Sequence, residues 1–171
     1  MDDFERTEYS DGYYGVLGRA LVVATRFEHN ARALAALVGM KADPDILASE
    51  RRLQKFMDTI DKQPLAQHLK ANGMAEAEFF PVLDSGRLAR NHLAHEAAKG
   101  LDQNIDLAGE SFISGIVDEI AEKVRSVAEA DRLICLMLSL VTNEHLPSKQ
   151  FLEAYPGRLV HWVVEQEEIG G

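Results

Sequence analysis

The sequence predicts an all-α protein, a four-to-five-helix up-and-down bundle with additional helices at its C-terminus. Apolar residues recur every three or four positions through most of the chain, which is the spacing of helices that bury one face. Glycine and proline residues interrupt this spacing, as is typical of connections between helices. At 171 residues the chain is long enough for one domain. We expect its core over about residues 12–130 and an extension over 131–171.

The first helix is predicted from near Gly12 to Val38, ending at Gly39. Its inward residues follow the helical spacing: Leu17, Leu21, Ala24, Phe27, Ala31, Leu34 and Val38. Its early turns also carry the pattern Gly12-x2-Gly15-x2-Gly18. Glycines at this spacing would let another helix, such as that of a second copy, approach closely.

A second helix is predicted to start at residues 43–45, Asp-Pro-Asp. A carboxylate cap followed by proline suits a first helical turn, and another acid favours the positive end of the helix dipole. Pro64 should end or kink this helix. A short piece with Leu65 and Leu69 then precedes the turn signal Asn72-Gly73.

The third helix is predicted over about Phe80 to Lys99, stopping at Gly100. Pro81 suits its first turn, since proline has no backbone N–H to satisfy. Gly86 lies in the middle of the helix, where glycine costs about 1 kcal/mol relative to alanine. It indicates either a break in the helix or a close approach by another backbone.

A fourth helix is predicted from roughly Leu107 to Ala130. Its inward residues are Phe112, Ile113, Ile116, Val117, Ile120, Val124 and Val127. Residues 131–143 are apolar on all sides and form a further buried helix or a continuation of the fourth. A short helix is then expected from Pro147 to Tyr155, with a break at Pro156-Gly157. We interpret residues 158–168 as helix, although their β-branched residues leave a strand open.

Charge and composition narrow the class of partner. The formal net charge is −10, which argues against broad binding of duplex DNA through a wide basic face. The charge is uneven, since residues 46–101 carry eight basic and seven acidic groups while residues 102–171 carry five and thirteen. A small basic pocket in the middle third is compatible with this distribution.

No segment predicts a membrane partner. The longest apolar run, Leu133 to Val141, covers nine residues, about half of what a spanning helix needs. The acidic start of the chain lacks the basic and apolar regions of a signal peptide. Cys135 is the single cysteine, which excludes an internal disulfide and predicts a buried, inert thiol. We therefore expect a cytoplasmic protein.

Arg90, Asn91 and His95 form the most informative pattern, Arg-Asn-x3-His, on the third predicted helix. An arginine followed by a histidine at such a spacing is expected about once by chance in this composition. Arg87 with His92 is indeed a second instance. An asparagine directly after the arginine lowers the chance expectation to roughly 0.03. The asparagine therefore selects the pair Arg90 and His95.

With this motif, an acidic all-α chain that begins with a long helix resembles the HEPN superfamily (higher eukaryotes and prokaryotes nucleotide-binding domain). The resemblance covers roughly residues 12–130. It implies a helical bundle, commonly a homodimer, and in many members a metal-independent endoribonuclease that acts on RNA without a cofactor. It also implies catalytic roles for Arg90 and His95, with Asn91 in support.

Many members of this superfamily belong to toxin–antitoxin or host-defence systems, so the resemblance also allows an antitoxin partner. Some relatives carry a tyrosine two residues after the histidine, which a nucleotidyltransferase antitoxin modifies. This chain has Ala97 at that position. The resemblance therefore does not extend to that form of regulation.

The residue types of the motif suit RNA cleavage on chemical grounds as well. Histidine transfers protons near neutral pH, and arginine offers a permanently charged fork that matches phosphate oxygens. On a helix of about 100° per residue, Arg90 is about 140° from His95. Arg87, Asn91 and His95 share one stripe, and His92 is a further candidate for support. Either Arg90 reaches around the helix, the helix is distorted, or a second copy supplies the other half of the site.

Two alternatives to catalysis remain open from the sequence. The motif could be a structural polar network inside the bundle, with Arg90 paired to a carboxylate such as Glu28, Glu76 or Asp84. It could also bind a nucleotide or RNA without turnover. In both cases the protein would be a helical interaction module.

The remaining polar candidates are weaker. No metal is expected, because the order of His92, His95 and Glu96 fits neither H-E-x-x-H nor H-x-x-E-H. Arg51, Arg52 and Lys55 on the second helix line an RNA path or form a solvated helix face. We expect four histidines at the surface or an interface and three aromatic side chains in packing: His29, His68, His145 and His161, and Tyr13, Tyr14 and Trp162.

Overall fold

The computed structural model describes residues 7–97 and 110–165, and these are helical almost throughout, with no strand among them. The prediction of an all-α fold with extra C-terminal helices is confirmed. The α-helices are α1 (Glu8–Ala42), α2 (Glu50–Lys62), α3 (Leu65–Lys70), α4 (Phe80–His95), α5 (Glu110–Thr142) and α6 (Lys149–Val164). Two 3₁₀ helices, Pro44–Ala48 and Ala71–Glu76, connect them. Within these described ranges, no helix has the length and apolarity to cross a membrane.

Helix α5 is the centre of the bundle and packs against α1, α4 and α6. Helix α4 runs antiparallel to it, since Gly86 meets Ala130 and His92 meets Glu119. The core between α1, α4 and α5 consists of fully buried apolar side chains, among them Phe27, Leu34, Leu83, Leu93, Ile120, Val124, Val127 and Ile134. The shorter helices α2 and α3 cover one side of α1.

Helix α1 is longer than predicted at both ends. Thr7 caps it, with its Oγ1 accepting from the Ser10 backbone N–H at 3.1 Å while Ser10 Oγ accepts from the Thr7 N–H at 3.0 Å. At the other end the helix continues through Gly39 to Ala42, so the predicted stop was wrong. Position 39 has little room for a side chain, because a Cβ there would lie 2.8 Å from Cζ of Phe56.

The second helix begins later than predicted. Asp43 caps as expected, accepting from the Asp45 N–H at 3.1 Å, but it opens a 3₁₀ helix instead of an α-helix. Helix α2 starts only after Ser49, whose Oγ accepts from the Arg52 N–H. The end at Pro64 is confirmed, since Pro64 separates α2 from α3.

Gly86 marks a close approach and not a break. Helix α4 is continuous across it, and a Cβ at this position would overlap Cβ of Ala130 and lie 3.3 Å from the Ser126 carbonyl oxygen. The helix ends at His95, earlier than predicted, because the N–H groups of Glu96 and Ala97 both donate to the His92 carbonyl. The predicted end at Lys99 and Gly100 lies outside the described residues.

Residues 131–143 are a continuation, because α5 runs unbroken from Glu110 to Thr142; the predicted start at Leu107 lies outside the described residues. Helix α6 continues through Pro156, so the predicted break was wrong. Proline removes the donor for the carbonyl four residues earlier, and that carbonyl, of Leu152, accepts from Arg132 Nη1 at 3.5 Å. The helical interpretation after Pro156 holds to Val164, and residues 166–168 are not described.

Several side chains lie on a different face from the one predicted. Leu21 and Phe112 are exposed, because the buried stripes of α1 and α5 are narrower than the apolar spacing indicated. His68, expected at the surface, is buried with Nε2 3.0 Å from the Ile60 carbonyl oxygen. Tyr13 packs in the core as expected, whereas Trp162 is about half exposed.

Candidate functional site on helix α4

Helix α4 carries Arg90 and Asn91 beside its buried stripe and His95 at its exposed end. Its buried stripe is Leu83, Gly86, Ala89 and Leu93, at the three- and four-residue spacing of a helix packed against α1 and α5. Leu88, although apolar, is exposed. The polar residues between these positions therefore lie beside or opposite the core.

Arg90 is held within the protomer by two partners. Its Nη2 forms a close ion pair with Oε2 of Glu28 on α1, and its Nη1 donates to Oδ1 of Asn91 at 3.2 Å. Three-quarters of the Arg90 side chain is buried. Of the carboxylates that the sequence offered as its partner, the structure selects Glu28.

Glu28 is shared between two arginines. Its Oε1 lies 3.6 Å from Nη2 of Arg32, and Nη1 of Arg32 lies 3.4 Å from Oδ1 of Asp61 on α2. The ion pairs thus form a chain from α4 through α1 to α2. Two guanidinium and two carboxylate groups balance in it, so this part of the site carries no excess positive charge.

The neighbouring candidates for support are also paired. Arg87 Nε donates to Oδ1 of Asp84 at 2.7 Å, and Nε2 of His92 lies 3.2 Å from Oε1 of Glu119 on α5. Both are partly buried. Arg87 therefore pairs within α4, and His92 pairs with α5. Neither side chain shares the partner of Arg90.

His95 differs from the rest of the motif. It is the last residue of α4 and exposed, and its imidazole has no hydrogen bond or ion pair with any described residue. Asn91 is one turn before it, only about 40° away around the helix. The hydrogen bond from Arg90 to Asn91 therefore joins the guanidinium to a residue on the same stripe of the helix as His95.

The three basic residues of α2 lie away from the motif. Arg51, Arg52 and Lys55 are exposed, and Arg52 and Lys55 border a shallow cleft of about 370 Å³ that Asp43 and Asp45 also line. Arg52 is nine residues from the α2 end that contacts Arg32, about 14 Å along the helix. The cleft is mixed in charge, and the structure does not bring it together with Arg90.

A second polar cluster, absent from the sequence prediction, lies between α1, α5 and α6. We call it the Asp131 cluster: Asp131, Arg26, Asn30, Tyr155 and Cys135. Asp131 is 1% exposed; it accepts from Asn30 Nδ2 at 2.8 Å and from the Tyr155 hydroxyl, and Arg26 Nε lies 3.6 Å away. Its position in the buried series Val124, Val127, Asp131, Ile134 was the signal that could have revealed it.

In the Asp131 cluster the phenol and the thiol are kept neutral beside a carboxylate that is paired with Arg26. Burial, and then the hydrogen bond and charge of Asp131, raise the pKa of Tyr155. Burial likewise raises the pKa of the Cys135 thiol, which lies 3.8 Å from Asn30 Nδ2. A thiol with a raised pKa is a poor nucleophile, so the cluster is suited to holding helices together.

The two sets of residues differ in what they can do chemically. The exposed imidazole of His95 is available for proton exchange with a bound molecule, whereas the polar groups of the Asp131 cluster contact one another. Over residues 7–97 and 110–165, no three His, Cys, Asp or Glu side chains group closely enough to hold a metal ion. Comparison with models of protein families, with curated proteins and with solved structures finds no match.

Proposed function

We propose that the protein is a metal-independent endoribonuclease of the HEPN type whose site is completed by a second copy. The observation that carries the proposal is the contrast within one motif. Arg90 is fixed by Glu28 and Asn91, while His95 one turn further is exposed and has no partner in the described part of the chain.

The proposed reaction is an intramolecular transesterification at the phosphorus atom of the RNA backbone. The 2′-oxygen of a ribose attacks the adjacent phosphate, its proton passes to a base, and the 5′-oxygen leaves with a proton from an acid. His95 would act as one of these proton-transfer groups. Arg90 would stabilise the charge on the phosphorane oxygens, and Asn91 would keep the guanidinium on the His95 side.

A second copy is part of the proposal because the reaction needs both a base and an acid. One imidazole cannot take a proton and give one in the same step, so a second copy of His95 would supply the other proton-transfer group. Glu28 has a distinct role in this proposal, since it neutralises and orients Arg90 until a phosphate competes for the guanidinium. An RNA substrate and a role in a toxin–antitoxin or host-defence system follow from the resemblance, and an antitoxin would be the corresponding protein partner.

The test is cleavage of diverse RNAs in EDTA by the wild-type protein and by His95→Ala. We expect the substitution to lower the rate by about 10²–10⁴ without changing the unfolding free energy. His145→Ala, an exposed histidine in the loop before α6, is the matched control and should cleave like the wild type. Cleavage that survives His95→Ala would overturn the proposal.

The chain of ion pairs through Glu28 and Arg32 favours a second candidate, a non-catalytic interaction module in which the motif is structural. Arg90→Gln should lower the unfolding free energy by about 1–3 kcal/mol under either candidate function, because Glu28 would lose one of its two arginine partners. Under this alternative, the wild-type protein would leave every RNA intact. Binding of RNA or a nucleotide without turnover would identify this second candidate.

A further inference from the structure

The guanidinium of Arg32 on α1 has a donor without an acceptor among the described residues. Its Nη1 lies 3.4 Å from Oδ1 of Asp61, and its Nη2 lies 3.6 Å from Oε1 of Glu28. Its Nε is shielded from solvent and has no hydrogen-bond partner. In a guanidinium, Nη2 and the Nε–H share one edge, and this edge can hold both oxygens of a carboxylate. Arg32 therefore turns toward Glu28 an edge whose two donors form no hydrogen bond.

Glu28 lies close to this edge but is held by Arg90. Its Oε2 forms the close ion pair with Nη2 of Arg90, whereas the 3.6 Å to Arg32 exceeds the roughly 2.7–2.9 Å of a charge-assisted hydrogen bond. A shift of about 1 Å would bring the carboxylate onto Arg32. Glu28 precedes Arg32 by four residues on α1, which is the order that favours an ion pair on a helix. The carboxylate therefore has two places to bind, one filled and one vacant.

The vacant place matters because three-quarters of the Glu28 side chain is buried. A buried carboxylate that loses its partner is costly, so Arg90 can turn to another anion only if Glu28 pairs with a second cation. Arg32 is the second cation that the structure places beside it. Asp61 does not compete for the same edge, because it contacts Arg32 through Nη1.

We propose that Arg32 is a positioning residue that takes over Glu28 when a phosphate group binds to Arg90. In this exchange Glu28 leaves Nη2 of Arg90 and accepts from Nε and Nη2 of Arg32. The freed Nη2 of Arg90 then donates to a phosphate oxygen, while Nη1 keeps its hydrogen bond to Asn91. The side chains of Arg90 and Glu28 are each about one-quarter exposed, so a small anion can approach the pair from solvent.

This inference rests on the proposed function for the identity of the natural anion, a phosphodiester of RNA. The exchange between Arg90 and Arg32 does not require cleavage. Inorganic phosphate offers the same acceptor oxygens to a guanidinium and is therefore a suitable probe.

The first measurement is an NMR titration of the full chain with inorganic phosphate at constant ionic strength, observing the arginine Nε–H signals. The signals of Arg32 and Arg90 are assigned by their loss in Arg32→Lys and Arg90→Lys. We expect both signals to shift along one binding curve, with the Arg32 proton moving downfield as it gains an acceptor. A titration in which either signal stays in place overturns the inference.

The second measurement separates hydrogen bonding from charge. Arg32→Lys keeps the positive charge but lacks an edge with two donors, and we expect phosphate to bind about tenfold more weakly. Arg125→Lys on α5, at an exposed position, is the matched control and should bind phosphate like the wild type. Thermal unfolding verifies the fold of each variant, and the titration of the wild type remains decisive if Arg32→Lys is unstable.

A double-mutant comparison tests whether Arg32 acts through Glu28. Glu28→Gln removes the carboxylate that needs a second partner, so adding Arg32→Lys should then change the phosphate affinity by less than about twofold. An equal loss of affinity with and without the Glu28 carboxylate would mean that Arg32 contacts the phosphate itself, which overturns the inference.

The outcomes also separate the exchange from the proposed function. If RNA is cleaved, Arg32→Lys should raise KM about tenfold while kcat stays within about twofold, because the exchange affects ground-state and transition-state binding alike. An unchanged KM overturns the inference and leaves the endoribonuclease proposal standing. If no RNA is cleaved but phosphate moves the Arg32 signal, the exchange is supported and only the proposed function fails.

Discussion

The Asp131 cluster and the Arg90 motif both place charged groups among packed helices, but water reaches them to different extents. Asp131 is 1% exposed and contacts α1 and α6 side chains, whereas His95 is exposed and has no partner among the described residues. A buried carboxylate depends on its protein partners, because leaving it without them is costly. The Asp131 cluster is therefore suited to holding the bundle together, while the Arg90 motif leaves the His95 imidazole open to solvent.

Asp131→Ala tests the structural side of this comparison and should have the largest effect. Removing the carboxylate leaves Asn30 and Tyr155 without their buried acceptor, and we expect the unfolding free energy to fall by about 3–5 kcal/mol. Urea unfolding gives the value. Asp118→Ala, an exposed acid on the same helix, should stay within about 0.5 kcal/mol; similar losses for both variants would contradict the assignment.

Gly86→Ala tests the packing of the motif helix without touching a polar group. The added Cβ would overlap Ala130, and we expect a loss of about 2–3 kcal/mol in unfolding free energy as α4 and α5 separate. Gly115→Ala on α5 has no neighbour within 4 Å and should be neutral or stabilising by up to about 1 kcal/mol. A stable Gly86→Ala variant would show that α4 is held less closely than the structure indicates.

Tyr13 gives the smallest of the three effects, and it depends on pH. Burial, and to a lesser extent the charge of Tyr14, raise the pKa of Tyr13 to about 12. Because the folded pKa exceeds the unfolded value of about 10, the contribution to stability is complete below pH 10 and declines as the pH rises toward 12. We expect a loss of about 1 kcal/mol at pH 11.

The measurement for Tyr13 is the difference in unfolding free energy between the wild type and Tyr13→Phe. That difference should shrink as the pH rises from about 8 to about 11. In this range unfolding of the wild type releases the Tyr13 phenol proton, which favours the unfolded state, and the variant has no such proton. The variant removes the hydrogen bond to the Ala97 carbonyl at every pH. A constant difference across this range would mean that Tyr13 titrates at its ordinary pKa.

Many features of the fold could be predicted from the local sequence, because helical spacing and capping depend on residues that are close together in the chain. Asp43 and Pro64 mark real boundaries for this reason. At Gly39 and Pro156, where the predicted helix ends were wrong, residues from other helices are involved. Phe56 packs where a Cβ at position 39 would lie, and Arg132 donates to the carbonyl that Pro156 leaves without a donor.

The same distinction between local patterns and contacts between helices applies to the candidate site. The order of the residues places Arg90, Asn91 and His95 at fixed angles around α4, because rotation per residue is a property of the helix. The pairing of Arg90 with Glu28 and the exposure of His95 depend instead on the packing of the helices. Ion pairs join residues distant in sequence, and their formation depends on how the helices pack, which periodicity alone does not specify.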